Sequence, residues 1–197
     1  LAPDHPANYV LCVFCGMEDP GCLILPTHRV LPNVKCDPEF FRADTNIELL
    51  MLDVTDVAGA LRALTPLGPQ ACGVFFGVTG RFGALRPARA TLLDAYEKEH
   101  CEAWRRLALA FLHAYVVDRC ISPKLTGGAA PEVHYVKVAD AAAKEARDSG
   151  GTTFLMQPNT MEELRAVCRA GDLMPQKSTF FYPKLASGLL INPLTPD

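Results

Sequence analysis

Residues 133–171 read VHYVKVADAAAKEARDSGGTTFLMQPNTMEELRAVCRAG, and the alternation of segment types within them decides the fold class. Val133 to Val138 reads as a strand, and Ala139 to Asp148 as a helix ended by Gly150. Thr152 to Met156 reads as a second strand, and Met161 to Ala170 as a second helix. Thr160 with Glu163 makes a capping box, in which each residue's side chain meets the other's backbone amide, and Gly171 supplies the left-handed cap at the far end. Strands alternating with helices predict helices layered on a sheet.

Working back from this stretch, the clearest helix spans Cys101 to Cys120. Trp104, Leu107, Ala108, Phe111, Leu112, Tyr115 and Val116 fall at the spacing of one buried face. It should stop before Pro123, and the Gly- and Pro-bearing residues 122–131 form the one candidate hinge. Cys72 to Val78 and Phe82 to Leu85 read as a hairpin around Thr79-Gly80-Arg81. Glu48 to Val54 reads as a strand, followed by a helix capped by Thr55 or Asp56 that runs to about Leu64. At the start, Tyr9 to Cys15 and Cys22 to Leu25 are expected to be two buried strands joined by the turn residues Met17 to Gly21. The early strands interleave less regularly with helices than the later ones. The expected class is therefore α+β with a mixed sheet, rather than α/β, in a single domain of 197 residues.

Hydrophobic residues make up 49% of the chain and charged residues 21%, a globular composition. A formal net charge of −3 with scattered Lys and Arg offers no concentrated cationic face, which argues against nucleic acid. No run reaches the ~18 apolar residues of a membrane span. The opening Leu1-Ala2-Pro3-Asp4-His5-Pro6 is no signal peptide, so no membrane role is expected. The eight cysteines lie mostly in apolar runs and read as reduced, buried hydrophobes, which places the protein in the cytoplasm. Cys12 and Cys15 have metal-pair spacing but no second pair, so core packing is expected of them. The five histidines show no ligand spacing, and no metal site is expected.

Chemistry concentrates in two segments. Met174 to Lys184 joins two lysines and two adjacent hydroxyls to three consecutive aromatics. Lys177, Ser178, Thr179 and Lys184 are groups that hold a phosphate or carboxylate. Pro26-Thr27-His28-Arg29 reads as a polar exit from a strand, where Arg29 could clamp an anion and His28 could move a proton. Gly171 and Lys177-Ser178 have P-loop spacing, but Gln176 replaces the glycine and no strand precedes, which rejects that motif. Ser178 lacks a nucleophile-elbow context.

Asp19-Pro20-Gly21, Leu25-Pro26-Thr27-His28-Arg29, Met174 to Lys184 and Gly188-Leu189 together resemble the closing region of the domain of unknown function (DUF) 1015 family. Gln176 stands where a second proline is usual in that family. The resemblance implies a bacterial protein, often encoded near serine-biosynthesis genes, of which this chain is the carboxy-terminal part. It also implies an upstream Asp-Gly-His-His-Arg-Tyr motif similar to one of ParB-type folds, some relatives of which are nucleotide-dependent serine kinases. On that basis the expected role is the ligand-binding half of an enzyme acting on a small phosphorylated or carboxylated metabolite, by phosphoryl transfer. Lys177 and Lys184 would offset charge, Ser178 and Thr179 would bond oxygens, and His28 with Arg29 would orient the reacting group. A nucleotide with Mg2+ is expected only if the kinase analogy holds. The expected partners are a small anionic metabolite and the protein's own upstream domain. The alternative is a non-catalytic regulatory or assembly module, whose Phe180-Phe181-Tyr182 run docks a partner domain or a second copy in a homo-oligomer.

Overall fold

The structure, a computed structural model, describes residues 2–194 apart from 4, 187 and 189. Leu1 and Asp4 of the opening segment and Leu189 of the Gly188-Leu189 pair therefore lie outside the described residues. The chain separates into two compact units, Leu1–Leu23 with Phe181–Asp197, and Ile24–Phe180. Residues 122–131 fall inside the second unit. Strand β1 (Leu23–Leu25) forms a two-stranded sheet with β8 (Phe180–Tyr182), and both strands stand where the chain passes from one unit to the other.

The larger unit carries a six-stranded sheet. Its strands are β2 (His28–Leu31), β3 (Ile47–Leu52), β4 (Cys72–Phe76), β5 (Arg81–Pro87), β6 (His134–Val136) and β7 (Thr152–Leu155), in the order β3-β5-β4-β7-β2-β6. Each of these pairings is antiparallel. The architecture is α+β, and the expected hairpin is β4–β5, with Phe75 opposite Phe82.

Local chemistry sets the helices. Asp56 Oδ1 accepts the Gly59 N–H at 2.6 Å and starts α2 (Val57–Leu64). A helix that the sequence reading missed, α1 (Pro38–Arg42), opens on Asp37, whose Oδ1 accepts the Phe40 N–H at 2.9 Å. Helix α6 (Ala139–Ser149) ends at Gly150, with φ of 69°, in the left-handed region that glycine tolerates. The capping box of α7 (Met161–Arg169) is complete: Thr160 Oγ1 accepts the Glu163 N–H at 3.1 Å, and Glu163 Oε2 accepts the Thr160 N–H at 2.7 Å.

The expected helix from Cys101 to Cys120 is broken. It becomes α3 (Glu102–Arg105), α4 (Ala108–Ala110), a π-helix over Phe111–Ile121 and α5 (Ser122–Leu125), with Leu107 extended at ψ 137° between α3 and α4. The π winding has a visible reason. Tyr115 and Cys120 are five residues apart, and both bond the Asp44 carboxylate, from Oη and Sγ at 3.2 Å each. An i, i+5 pair lies on one side of a π-helix but on diverging sides of an α-helix.

The strand expected at Tyr9–Cys15 does not form. The segment has no regular structure, and Val10 and Phe14 are 83% and 92% exposed. An apolar run becomes a strand only where another strand meets its backbone, and the described residues give Tyr9–Cys15 none. Cys12 and Cys15 are exposed with it instead of packed in a core. Within this smaller unit Asp19 Oδ1 accepts the Gly21 N–H at 2.8 Å, which makes the expected turn.

Two cores flank the six-stranded sheet. On one face Leu31, Phe76, Leu85 and Phe154 meet the π-helix through Phe111, Leu112 and Val116. On the other, Val30, Phe75, Phe82 and Leu155 meet Ala60 of α2 and Ala142 and Ala146 of α6. Each buried large side chain contributes about 1.5–3 kcal/mol relative to exposure. Arg29 alternates with Leu31 on the π-helix face, and His28 alternates with Val30 on the opposite one.

Candidate functional site

The segment Pro26-Thr27-His28-Arg29 is no surface exit. His28 and Arg29 open β2, a strand held between β6 and β7, and each is only 2% exposed. Two polar side chains can be buried there because each finds partners. His28 Nδ1 accepts the Met156 N–H at 3.1 Å, at the end of β7. Burial, followed by the Arg29 charge, pushes the His28 pKa down to about 4, so the ring is neutral at physiological pH.

Arg29 is a buried cation with no carboxylate among its partners. Its Nε–H donates to His113 Nε2 at 3.3 Å, and Nη1 donates to the carbonyl of Thr27, on the far side of His28 in the chain. Nη2 donates to two successive carbonyls, Gln176 O and Lys177 O, at 3.1 Å each. The Tyr135 ring, opposite Arg29 in the β2–β6 register, lies 5.4 Å from the guanidinium carbon. Burial pulls the Arg29 pKa down to about 10, which still leaves the group charged at neutrality. His113, from the π-helix, is half-buried. Its pKa falls to about 4 for the same two reasons as that of His28.

The two carbonyls gripped by Arg29 belong to a tight turn. Lys177 has φ of 56°, the left-handed region that costs a side-chain-bearing residue free energy. Ser178, buried, closes the turn by donating its Oγ–H to Pro175 O at 2.6 Å, and Asn159 Nδ2 donates to Ser178 O at 2.8 Å. With its carbonyl turned inward to Arg29, Lys177 projects into solvent, and Thr179 is half-buried behind it. Lys137, just beyond β6, sets its ammonium 4.1 Å from the centre of the Phe180 ring, at the end of the same segment. Among the described residues, none of Arg29, Lys137 and Lys177 is paired with a carboxylate. Asn159 also lines a cleft of about 230 Å3 with Thr65, Gly68, Gln157 and Thr160. Glu163 reaches the same cleft, but its carboxylate is turned back onto the Thr160 amide.

The fold thus brings together Arg29, Lys177, Ser178 and Thr179, and it adds His113, Tyr135 and Lys137, which the sequence reading missed. His28 sits on the far face of the sheet from Arg29. Lys184 is an exposed residue of the smaller unit. One signal for His113 was present in the sequence, a lone imidazole inside the apolar run Leu107–Val117. Nothing comparable marks Lys137. Among the described residues, no group of three or more His, Cys, Asp or Glu side chains could hold a metal ion, and no helix is long and apolar enough to cross a membrane.

Residues 1–107 match the family model described as protein of unknown function (DUF1015). The chain belongs to this family. No curated protein matches the DUF1015 chain. Among solved structures, a free serine kinase mutant in complex with ADP is similar at 11% identity and a TM-score of 0.48. The match covers 86% of this chain and 57% of that one, so the DUF1015 chain spans just over half the length of that protein.

Proposed function

We propose that the turn around Lys177 binds the phosphate or carboxylate of a small metabolite, and that the chain is the ligand-binding part of an enzyme acting on it. Phosphoryl transfer is the reaction class that a cluster of cations and hydrogen-bond donors serves best, because catalysis there is mostly positioning and charge stabilisation. One observation carries this reading. A buried guanidinium without an acid spends Nη2 on two successive carbonyls of a strained turn, and Lys177 is thereby presented to solvent. In this reading Arg29 is a positioning residue, His28 braces β2 against β7, and Lys177 with Thr179 meets the ligand. The nearby cleft, below the roughly 300–1,000 Å3 of drug-sized pockets, suits a small metabolite.

A thermal-shift screen of the intact protein against serine, phosphoserine, ADP, ATP with Mg2+ and inorganic phosphate tests the reading, since a ligand of the folded state raises its melting temperature. A shift with an anionic compound that disappears in Lys177→Ala is the expected result. A shift that persists unchanged in that variant removes the support. The same screen on Lys184→Ala tests the contribution expected of that lysine.

A second reading, a regulatory or assembly module, is favoured by the smaller unit, where Leu11 and Phe14 are 70% and 92% exposed and Tyr182 is 52% exposed. It predicts self-association. A concentration-independent monomer mass in light scattering would exclude a homo-oligomer.

A further inference from the structure

We infer that the site selects a dianionic phosphate monoester over a carboxylate; this rests on the anion-binding reading above and narrows it. The groups around the Lys177 turn are donors and cations. Lys177 and Lys137 contribute ammonium groups from the turn and from the end of β6. The third donor is set by geometry. Because Arg29 Nε–H donates to His113 Nε2, that nitrogen holds a lone pair, and the neutral ring carries its proton on Nδ1. No partner for that Nδ1–H is present among the described residues, and the half-buried ring is not sealed from solvent.

Each of the turn's carbonyls from Pro175 to Ser178 already accepts one hydrogen bond. Gln176 O and Lys177 O face Arg29, Ser178 O takes the Asn159 amide, and Pro175 O takes the Ser178 hydroxyl. With Arg29, the cluster holds three formal positive charges, and the Glu163 carboxylate of the neighbouring cleft is turned back onto the Thr160 amide. A bound carboxylate offsets one of the three charges. A phosphate monoester dianion offsets two and offers only acceptor oxygens to the donors that remain. Its protonated monoanion offsets only one, as a carboxylate does.

The test is calorimetric titration of the intact protein with methyl phosphate, sulfate and acetate at pH 5 and pH 8. The second ionisation of a phosphate monoester lies near pH 6, so about one tenth of methyl phosphate is dianionic at pH 5. Its affinity should therefore rise about tenfold on going to pH 8. Sulfate, a dianion throughout, should bind equally at both values. Acetate should bind at least tenfold more weakly than methyl phosphate at pH 8. Lys137→Ala, a change at an exposed residue, should weaken methyl phosphate several-fold and acetate little. A flat response to pH, acetate within threefold of methyl phosphate, or unchanged affinity in Lys137→Ala overturns the selectivity. In each of those cases, binding that still depends on Lys177 leaves the anion site standing. If none of the three anions binds, both readings fall.

Discussion

Replacing Arg29 by methionine keeps the length of the buried stem and removes every hydrogen bond of the guanidinium. Four acceptors lose a partner: Thr27 O, His113 Nε2, Gln176 O and Lys177 O. Hydrogen bonds to a charged group contribute about 1.5–3 kcal/mol each, which sets an upper bound of roughly 6–12 kcal/mol for the four. Two effects reduce it. Burying a guanidinium with no carboxylate costs several kcal/mol that the variant no longer bears. Gln176 and Lys177 are also exposed, so their carbonyls can turn to water once released. A net loss of about 2–4 kcal/mol is expected, which at 2–4 °C per kcal/mol for a chain of this size lowers the melting temperature by about 4–16 °C. Arg29→Lys should lose nearly as much, because one ammonium cannot span acceptors on three segments. Urea unfolding gives the free energy, and amide hydrogen exchange at residues 176–178 reports release of the turn. If Arg29→Met is as stable as the natural protein and its turn exchanges no faster, the guanidinium does not hold the turn and the reasoning fails.

Lys177→Gly separates strain from binding. Glycine adopts φ of 56° freely, so stability should hold or rise by up to about 1 kcal/mol in thermal melts, while anion affinity is lost. His134 Nε2 meets Glu132 at 3.0 Å and its Nδ1 reaches Glu145; these bonds, Glu132 first, raise its pKa above the usual 6.5. The group is largely exposed, so its contribution is small. It is fully present below pH 6.5 and lost as pH rises through the higher folded value, so the melting-temperature gap between the natural protein and His134→Gln should close toward pH 9; a gap independent of pH refutes the pairing. Gly77→Ala should not fold, since a Cβ there would run into the carbonyl oxygens of Ala146 and Gly151; a soluble, cooperatively melting variant would contradict that packing. Phe154→Ala, at a fully buried position, should cost about 3–5 kcal/mol in urea unfolding.

The parts of the fold legible in the sequence are those where local chemistry and tertiary packing agree. Thr160 with Glu163, Gly150 and Asp56 each act within a few residues, and the observed caps are the expected ones. Periodicity failed where a distant partner decides. Phe111–Ile121 has the stripe of an α-helix, but Asp44, about seventy residues earlier, draws Tyr115 and Cys120 into an i, i+5 pair. Apolar density failed at Tyr9–Cys15 because a strand also needs a neighbour. Polarity misled at His28-Arg29, since the Met156 amide and the 176–177 carbonyls that permit their burial lie more than a hundred residues away. The Lys177 segment stood out by composition. Its geometry did not, because Arg29 and Lys137 reach it from separate elements and His113 backs Arg29 from a third.

The measurement that tests the account most directly is a 1H–15N NMR titration of the intact DUF1015 protein with inorganic phosphate. The account predicts saturable shifts at the amides of Lys177, Ser178 and Thr179 and at the Arg29 Nε–H, all lost in Lys177→Gly. Saturable shifts confined to other parts of the chain, or none at millimolar phosphate, would contradict it.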